Sequence, residues 1–439
     1  MNKRKIINDP VYGFINIYSE FIFDLIQHPY FQRLRNIRQL GLTYFVYPGA
    51  MHSRFQHSLG AMYLMQNALD VLSDKGIDIS HEEKEAVLAA ILLHDIGHTP
   101  FSHALEYFFV KDLSHEDCTK LLIEKLNGTS RHCGLDPQSP EGKGACPLVK
   151  TKVFNNSINK ESFKNKLDLT LQIVENKYHK SFFHQLVSSQ LDVDRLDYLN
   201  RDSFYTGVAE GVIGSERIIK MLNVHNNQLV ADIKAVYSIE TYIISRRLMY
   251  WQVYLHKTVH VMEVLLINIL KRAKILNKKL KFLPENLNYF FEKQRTRTDF
   301  IENLNALNAY TSLDDNDILF CIKMWQQEDD IVLSQLCKRL YNRNLLKIEI
   351  AEQPFEDAYL ESLRLLVEKK WKLSKEESSY FVVSGKMENR AYNKKVESIQ
   401  ILDKNGGLTP MENISDHLNH RTLSESVSKY FVCYPKEIK

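Results

Sequence analysis

Four side chains that can bind a divalent metal occur along the chain in the order His57, His94, Asp95 and Asp194. The middle two lie together in an apolar segment, and a histidine and an aspartate lie far from them on either side. Imidazole and carboxylate groups bind Fe, Mn, Zn, Ni or Mg, and this donor set does not select among these ions. The sequence therefore predicts a hydrolytic metal centre, provided that the four side chains meet.

Two further histidines follow this pair closely. His94 and His98 are four residues apart on a predicted helix, so we expect both to project from the same face. Gly97 and Pro100 are expected to end the helix, which lets His103 approach from another direction. A buried polar group without a partner costs about 1–3 kcal/mol. Metal coordination would satisfy these side chains, and hydrogen bonding of core histidines to the backbone is the alternative.

The segment 191–202 is rich in acids. On a helix Asp194, Tyr198 and Asp202 share one face, with Arg195 and Arg201 beside them. An acidic helix face is most often solvated, but these acids alternate with arginines and lie among apolar positions. The pattern therefore favours a lined cavity, and Asp194, which leads the face, is the best candidate for the fourth metal ligand.

Other residues are candidates for phosphate binding. Arg54 lies near the start of a predicted helix and Arg246 lies on a long one, and a guanidinium group suits bidentate contact with phosphate. Ser114 opens a helix with a capping box, which places His115 and Glu116 in the first turn, where anions are favoured. Capping or surface charge is the alternative interpretation for each of these residues.

The elements that must position these side chains are mainly helical. Apolar residues recur with helical spacing in the segments 18–42, 56–75, 81–96, 115–126, 180–201 and 236–278. Strand-like alternation is scarce before residue 345 and then predicts short strands at 346–350, 379–383 and 397–402. We predict a flexible insert at 127–165, a polar hairpin tip at 385–395, and a helical core followed by a smaller α+β C-terminal lobe.

Composition excludes several classes of protein. The 439 residues are 44% hydrophobic and 25% charged, with a net charge of +3, which is too balanced to indicate a nucleic-acid binder by itself, although it does not exclude one. The six cysteines form no C-x-x-C pair, which is typical of a reducing compartment. No run of 18 apolar residues and no signal-peptide core is found, so we expect a cytoplasmic protein without a membrane span.

Taken together, these motifs resemble the HD-domain phosphohydrolases, and in particular their branch of dGTPase-like deoxynucleoside triphosphate (dNTP) triphosphohydrolases. The stretches that carry the resemblance are 5–10, 31–35, 39–41, 47–50, 54–60, 93–103 and 192–202. The likeness covers about residues 1–126 and 180–260. It implies a mainly α fold with an HD-domain helical core at 1–270, a helical extension at 271–350, and the α+β lobe at 351–439.

The resemblance also implies a role for each matching residue. The divalent metal would be held by His57, His94, Asp95 and Asp194. Catalytic groups beside the α-phosphate would be His98, His103, His115 and Glu116. Substrate contacts would come from Arg54, Arg195, Tyr198 and Arg246 on the triphosphate, Gln39 and Asp202 on the sugar, and Leu40 on the base or sugar edge.

A regulatory nucleotide site between subunits is a further implication, in a homodimer or homotetramer. Its residues would be Lys5, Asn8, Gln32, Arg35 and Arg343. Gln27 and Tyr12 depart from the pattern of the vertebrate enzyme, which puts activation by GTP in doubt.

The expected reaction is hydrolysis of a dNTP, dGTP included, to a deoxynucleoside and triphosphate. Two alternatives stay open: another HD-type phosphohydrolase, such as a phosphodiesterase or nucleotidase, and a nucleotide-sensing protein with a vestigial metal site. No G-x-x-x-x-G-K-[ST] loop occurs, which argues against a P-loop nucleoside triphosphatase.

Overall fold

The structure, a computed structural model, describes residues 5–129, 160–389, 398–415 and 427–439. Most of the predicted insert and part of the predicted hairpin tip lie outside the described residues. The α-helices in the described ranges are α1 Glu20–Gln27, α2 Pro29–Gln32, α3 Arg54–Asp74, α4 His81–Leu93, α5 His115–Thr129, α6 Lys160–Val174, α7 Ser181–Val187, α8 Val193–Thr206, α9 Ser215–Lys220, α10 Val236–Met249, α11 Lys257–Leu276, α12 Glu285–Glu292, α13 Arg297–Glu302, α14 Leu304–Thr311, α15 Asp315–Trp325, α16 Ile331–Tyr341, α17 Asp357–Trp371, α18 Lys375–Ser378 and α19 Met411–Ile414.

The strands form small sheets around this helical body. They are β1 Lys5–Asp9, β2 Gly13–Ile17, β3 Val110–Lys111, β4 Leu222–His225, β5 Gln228–Asp232, β6 Arg295–Thr296, β7 Lys347–Ala351, β8 Val383–Asn389, β9 Gln400–Leu402, β10 Leu408–Pro410 and β11 Val427–Tyr434. Strands β1 and β2 form an antiparallel hairpin, and β3 pairs with β6. The order of the larger sheets is β10-β9-β5-β4 and β7-β11-β8. The predicted fold class, mainly α with a smaller α+β C-terminal lobe, is confirmed.

Helix α4 lies at the centre of the core because it has no polar face over most of its length. Residues 86–93 are all apolar and buried, and a helix that is apolar on all sides must be covered on all sides. Helices α3 and α6 pack against α4, and α8 packs against α3. The ends of α3, α4 and α8 therefore meet inside the protein, and the predicted metal ligands lie on or next to these three helices.

Helix α3 confirms the prediction for 56–75, but three other predicted helices are interrupted: 18–42, 180–201 and 236–278. Pro29 starts the new helix α2, because proline is accepted in a first turn and not in a helix interior. The side chain of Asp192 accepts hydrogen bonds from the backbone N–H groups of Ser189 and Arg195, which starts α8 separately from α7. Helix α10 ends in a π-helical turn, Tyr250–Tyr254, before α11.

The sequence predictions for strands were partly wrong. The alternation at 379–383 lies mostly in a turn, and the strand β8 begins only at Val383 and runs through the first part of the predicted hairpin tip. Six strands before residue 345, β1 to β6, were not predicted. Each has five residues or fewer, and its stability comes from its partner strand more than from its own apolar pattern.

The C-terminal lobe packs directly on the helical core. Strand β9 pairs in parallel with β5, with Ile401 opposite Ala231. The ring of Phe431 lies 4.3 Å from that of His260 on α11. The predicted division into 1–270, 271–350 and 351–439 stays a prediction. No single helix among the described residues is long and apolar enough to cross a membrane; only the consecutive segments 233–254 and 257–279, bent by 54°, meet that test as a pair.

Hydrogen bonds from residues 310–315 hold the loop that follows α4. Phe101 and Ser102 in this loop have positive φ angles of 55° and 57°, which are unusual for residues other than glycine. The buried carboxylate of Asp315 accepts hydrogen bonds from the backbone N–H groups of Phe101 (2.7 Å) and Arg38 (3.0 Å). The hydroxyl of Tyr310 donates to the carbonyl of Gly97 (2.6 Å). The loop is therefore held by a segment more than 200 residues away in sequence.

We expect Asp315→Ala to lower the free energy of unfolding by about 2–4 kcal/mol, because it leaves buried N–H donors without an acceptor. Urea denaturation followed by circular dichroism measures this difference. The matched control is Asp329→Ala, whose carboxylate is exposed and paired with Lys281 at the surface, and which should change stability by less than about 1 kcal/mol. Equal stability of the two variants would contradict this role of Asp315.

Candidate active site

Three of the four predicted metal ligands converge at the junction of α3, α4 and α8. The Nε2 atoms of His57 and His94 are 3.3 Å apart. The Oδ1 atom of Asp194 is 3.0 Å from the first and 3.5 Å from the second. Ligand atoms about 2.1 Å from an ion are about 3.0 Å apart at right angles and about 3.4 Å apart in a tetrahedron. The three donor atoms therefore fit one divalent cation.

Asp95 approaches the same point but also has other partners. Its Oδ1 atom is 3.3 Å from Nε2 of His94, and its Oδ2 atom is 3.8 Å from Nε2 of His57. Arg54 donates to Oδ2 at 2.5 Å, and Nε2 of His98 lies 3.2 Å from Oδ1. Asp95 thus lies between the metal-ligand group and two cationic or polar neighbours, and its role as the fourth ligand stays a prediction.

The carboxylates around His57 and His94 favour positive charge at the metal-ligand group. Burial lowers the pKa of His57, but hydrogen bonds to Asp194 and Asp197 outweigh burial and raise it to about 10. Burial also disfavours protonation of His94, yet Asp95 and Asp194 raise its pKa. A divalent cation would supply this positive charge in place of the protons, so metal binding is expected to release protons.

The other ring nitrogen of His57, Nδ1, contacts a second carboxylate of α8. Its Nδ1 atom is 2.7 Å from Oδ2 of Asp197, which is fully buried on α8. A carboxylate on Nδ1 fixes the tautomer in which Nε2 is free to bind a metal. Asp197 was not among the site residues predicted from the sequence. Its position three residues after Asp194, on the same helix and one turn along, was the available signal.

The prediction that His94 and His98 share one helix face is wrong. Helix α4 ends at Leu93, and the next residues form a turn. In this turn the side chain of Thr119 binds backbone groups that would otherwise form hydrogen bonds within the helix. The hydroxyl of Thr119 donates to the carbonyl of His94 (2.9 Å) and accepts from the N–H of Gly97 (3.0 Å). A Cβ atom on Gly97 would lie 2.2 Å from the carbonyl oxygen of His115, so α5 approaches the turn only because residue 97 is glycine.

His98 instead belongs to a separate cluster of three imidazoles with His103 and His115. The rings of His98 and His115 stack with centroids 4.0 Å apart, and the ring of His103 lies about 5 Å from both. Burial and the nearby Arg54 hold the pKa of His98 well below its usual range. His98 is therefore neutral at neutral pH.

Glu106, which the sequence analysis missed, fixes the imidazoles of His103 and His115. One of its carboxylate oxygens contacts Nδ1 of His115 and accepts from the backbone N–H of that residue (3.1 Å), and the other lies 3.3 Å from Nδ1 of His103. Burial raises the pKa of Glu106, but the hydrogen bonds from His103 and His115 hold it well below its usual range. Glu106 is consequently an anion at neutral pH.

Glu116, the acid predicted for this position, is exposed on α5 and lines the cavity described next. Neighbouring helical residues project about 100° apart, so sequence adjacency to His115 does not bring Glu116 to that ring. The spacing of three residues between His103 and Glu106 was the signal that could have identified Glu106. A catalytic role for Glu116 stays a prediction.

A cavity of about 840 Å³ connects the metal-ligand group with the imidazole cluster. Its lining includes all the predicted substrate contacts, Gln39, Leu40, Arg54, Arg195, Tyr198, Asp202 and Arg246. The Nε atoms of Arg195 and Arg246 are buried and have no hydrogen-bond partner among the described residues. The Nη1 atoms of these arginines contact Asp192 and Gln190, respectively. These guanidinium groups therefore keep donors for an anionic ligand.

The two predicted sugar contacts, Gln39 and Asp202, differ in whether their side-chain oxygens already have hydrogen-bond partners. The buried Oε1 atom of Gln39 has no hydrogen-bond partner in the described part of the chain. Both oxygens of Asp202 are already used: Oδ1 lies 2.7 Å from Nε2 of His52, and Oδ2 accepts from the hydroxyl of Tyr254 (2.8 Å). A contact from Asp202 to a ligand would thus need a further lone pair, whereas Gln39 has an unused acceptor.

The predicted regulatory residues lie outside this cavity. Lys5 and Asn8 are exposed on β1, and the ammonium group of Lys5 lies 4.8 Å from an aromatic ring of α1. Arg35 donates to the side chain of Gln32 (2.8 Å). Arg343, which has a positive φ angle of 55°, donates to the carbonyl of residue 45. Their role in binding a nucleotide, and assembly into a dimer or tetramer, stay predictions.

Comparison with known proteins identifies similar chains. Residues 54–135 match the HD domain, and residues 213–283 match the HD associated region. The uncharacterized protein YwfO of Bacillus subtilis is 36% identical over 84% of this chain and 77% of its own length. The human deoxynucleoside triphosphate triphosphohydrolase SAMHD1 is 27% identical over 81% of this chain and 56% of its own. The crystal structure of a phosphohydrolase from Bacteroides thetaiotaomicron, 44% identical, superposes with a TM-score of 0.88 over 98% of this chain and all of that one.

We expect the wild-type chain to bind Mn²⁺ stoichiometrically and His94→Ala to bind it more than about 100-fold more weakly, because even outer-shell partners of metal ligands contribute 10- to 100-fold. Isothermal titration calorimetry measures the affinity, and elemental analysis measures the metal that is retained. His81→Ala, which removes an exposed imidazole, is the control and should bind as the wild type does. Unchanged affinity in His94→Ala would contradict the metal centre.

Proposed function

Since the chain belongs to the HD-domain phosphohydrolase family, we propose that it is a metal-dependent dNTP triphosphohydrolase. It would cleave a dNTP, dGTP included, into a deoxynucleoside and inorganic triphosphate. The observation that best supports this activity is the cavity in which three metal-ligand atoms, a pair of imidazoles held by Glu106, and three arginines face one space. The similarity to the human triphosphohydrolase supports the same choice of substrate.

The arginines of the cavity favour a triphosphate over a ligand of lower charge. An unpaired N–H group in the interior costs about 1–3 kcal/mol, and phosphate oxygens would satisfy the free donors of Arg195 and Arg246. Arg54 is already paired with Asp95, so it would contribute mainly by its charge and by orienting that carboxylate. A ligand with phosphates at several positions uses these cations together.

The chemistry then follows from the positions of the protein groups. When bound, a divalent cation supplies positive charge to the phosphate oxygens and makes water more acidic. Glu106 occupies Nδ1 of His103 and of His115, so the Nε2 atoms of these rings are the ones available for proton transfer. One of them would donate a proton to the leaving 5′-oxygen, and the anionic Glu106 stabilises the imidazolium that donates it.

The nucleoside would contact the other end of the cavity. The free Oε1 atom of Gln39 can accept from a sugar hydroxyl, and Leu40 offers an apolar edge. The hydrogen bond between Tyr254 and Asp202 holds the aromatic ring at the cavity wall. These contacts recognise a sugar more than a particular base, which suits an enzyme that accepts several dNTPs.

We expect the purified protein to convert dNTPs to deoxynucleoside and triphosphate in the presence of Mn²⁺ or Fe²⁺, and Asp194→Ala to show no turnover, because it removes a metal ligand. Chromatography of the products from each of the four dNTPs, with a triphosphate assay, measures this. A monophosphate product would support another HD-type phosphohydrolase instead. Tight nucleotide binding by the wild type without any product would support a nucleotide sensor.

We expect Glu106→Gln to lower kcat by about 100-fold and to change KM little, because general acid catalysis contributes 10²- to 10⁴-fold and the neutral amide cannot stabilise an imidazolium. Steady-state kinetics at saturating metal measures both parameters. Glu124→Gln, which changes an exposed acid on α5, is the matched control. A wild-type kcat in Glu106→Gln would remove this residue from the mechanism.

A further inference from the structure

An unbroken series of buried ionic contacts joins the N-terminal hairpin to the metal-ligand group. Oδ2 of Asp197 contacts Nδ1 of His57 at 2.7 Å and accepts from Nε of Arg201 at 2.9 Å. Nη1 of Arg201 donates to Oδ2 of Asp9 at 2.8 Å, and Nη2 lies 3.3 Å from Oδ1. All four side chains are at least nine-tenths buried. Asp9 is the last residue of β1, far in sequence from the other three.

At Gly60 the packing of α3 against α8 leaves no space for a side chain beside this series of contacts. A Cβ atom there would lie 2.1 Å from both Nη2 of Arg201 and Oδ1 of Asp197. Gly60 is three residues after His57 on the same helix. The backbone of α3 thus approaches the ion pair as closely as a residue without a side chain allows, which holds Arg201 and Asp197 in one arrangement.

Asp9 is itself fixed by the hairpin. Its Oδ1 atom accepts hydrogen bonds from the backbone N–H groups of Val11 (2.9 Å) and Tyr12 (3.0 Å). The side chain therefore closes the turn between β1 and β2 with one oxygen and meets Arg201 mainly with the other. A carboxylate that served only the turn would not need to be charged, since an amide oxygen accepts the same two bonds.

We infer that Asp9 is a positioning residue for the metal ligand His57 and acts on it through Arg201 and Asp197. The guanidinium group of Arg201 is shared between two carboxylates. Without the charge of Asp9, this guanidinium is neutralised by Asp197 alone, which weakens the negative field of Asp197 on the imidazole. Nε2 of His57 then becomes a less basic ligand, because outer-shell carboxylates raise the basicity of a metal-bound histidine.

The inference rests on the proposed metal centre. Its test measures metal binding rather than catalytic turnover. The variant Asp9→Asn keeps the size of the side chain and its acceptor for the hairpin turn but removes the charge. The control Asp330→Asn makes the same change in a partly buried carboxylate that binds Arg272 at 2.6 Å and caps α16. Asparagine also caps helices well, and Asp330 does not line the cavity.

Co²⁺ is the probe, because its visible absorption reports the ligand field as well as the affinity. We expect Asp9→Asn to bind Co²⁺ about 10-fold more weakly than the wild type, with a shifted visible spectrum. Asp330→Asn should match the wild type in both readouts, whatever its melting temperature. Wild-type affinity and spectrum in Asp9→Asn would overturn the inference, and so would an equal loss of affinity in both variants.

A second variant covers the case in which Asp9→Asn does not fold. Arg201→Lys keeps the buried positive charge, but its ammonium group cannot donate to Asp9 and Asp197 from the several N–H groups of one planar guanidinium. It should also change the affinity for Co²⁺ and the visible spectrum, and wild-type values of both would overturn the inference. A wild-type chain that binds no Co²⁺ would overturn the metal centre together with the inference. A wild-type chain that binds Co²⁺ but hydrolyses no dNTP would overturn only the proposed function.

Discussion

The pairing of buried charge between α3 and α8 is the constraint on which the rest of the site depends. His57 on α3 contacts two carboxylates of α8, Asp194 through Nε2 and Asp197 through Nδ1. Removing one partner of a buried ion pair costs about 3–5 kcal/mol, so the two helices must pack with their residues in this register. The hydrophobic core around α4 supplies the packing, and the charges determine which residues face each other.

The imidazole cluster of the site is held by a different set of contacts. The imidazole cluster lies after the end of α4, in a loop with two residues at positive φ angles. Tyr310 on α14 donates, and Asp315 on α15 accepts, hydrogen bonds that hold this loop. The histidines that would transfer protons are therefore positioned by one part of the chain, and the metal ligands by another. Glu106 orients two of the imidazoles from within the loop itself.

Comparing particular residues shows where reasoning from the sequence succeeded and where it failed. The helical period correctly placed His57 on α3 and Asp194 on α8, and both belong to the group of three converging donors. The period failed at His98, because the hydroxyl of Thr119 on α5 ends the helix before the expected residue. The capping box and the family resemblance suggested Glu116, which follows His115 in the sequence, and Glu106 was not considered. Adjacency along a chain says little about direction once the backbone turns.

The sequence by itself determined the donor types, their order, the helical character of the core and the family to which the motifs belong, because these follow from residue chemistry and periodicity. Only the tertiary structure decided the pairings: Asp197 with His57, Asp202 with His52 and Tyr254, and Asp9 with Arg201. Such pairings are decided by helix packing and by close approaches such as that at Gly60. They join residues more than 50 positions apart, which no local pattern encodes.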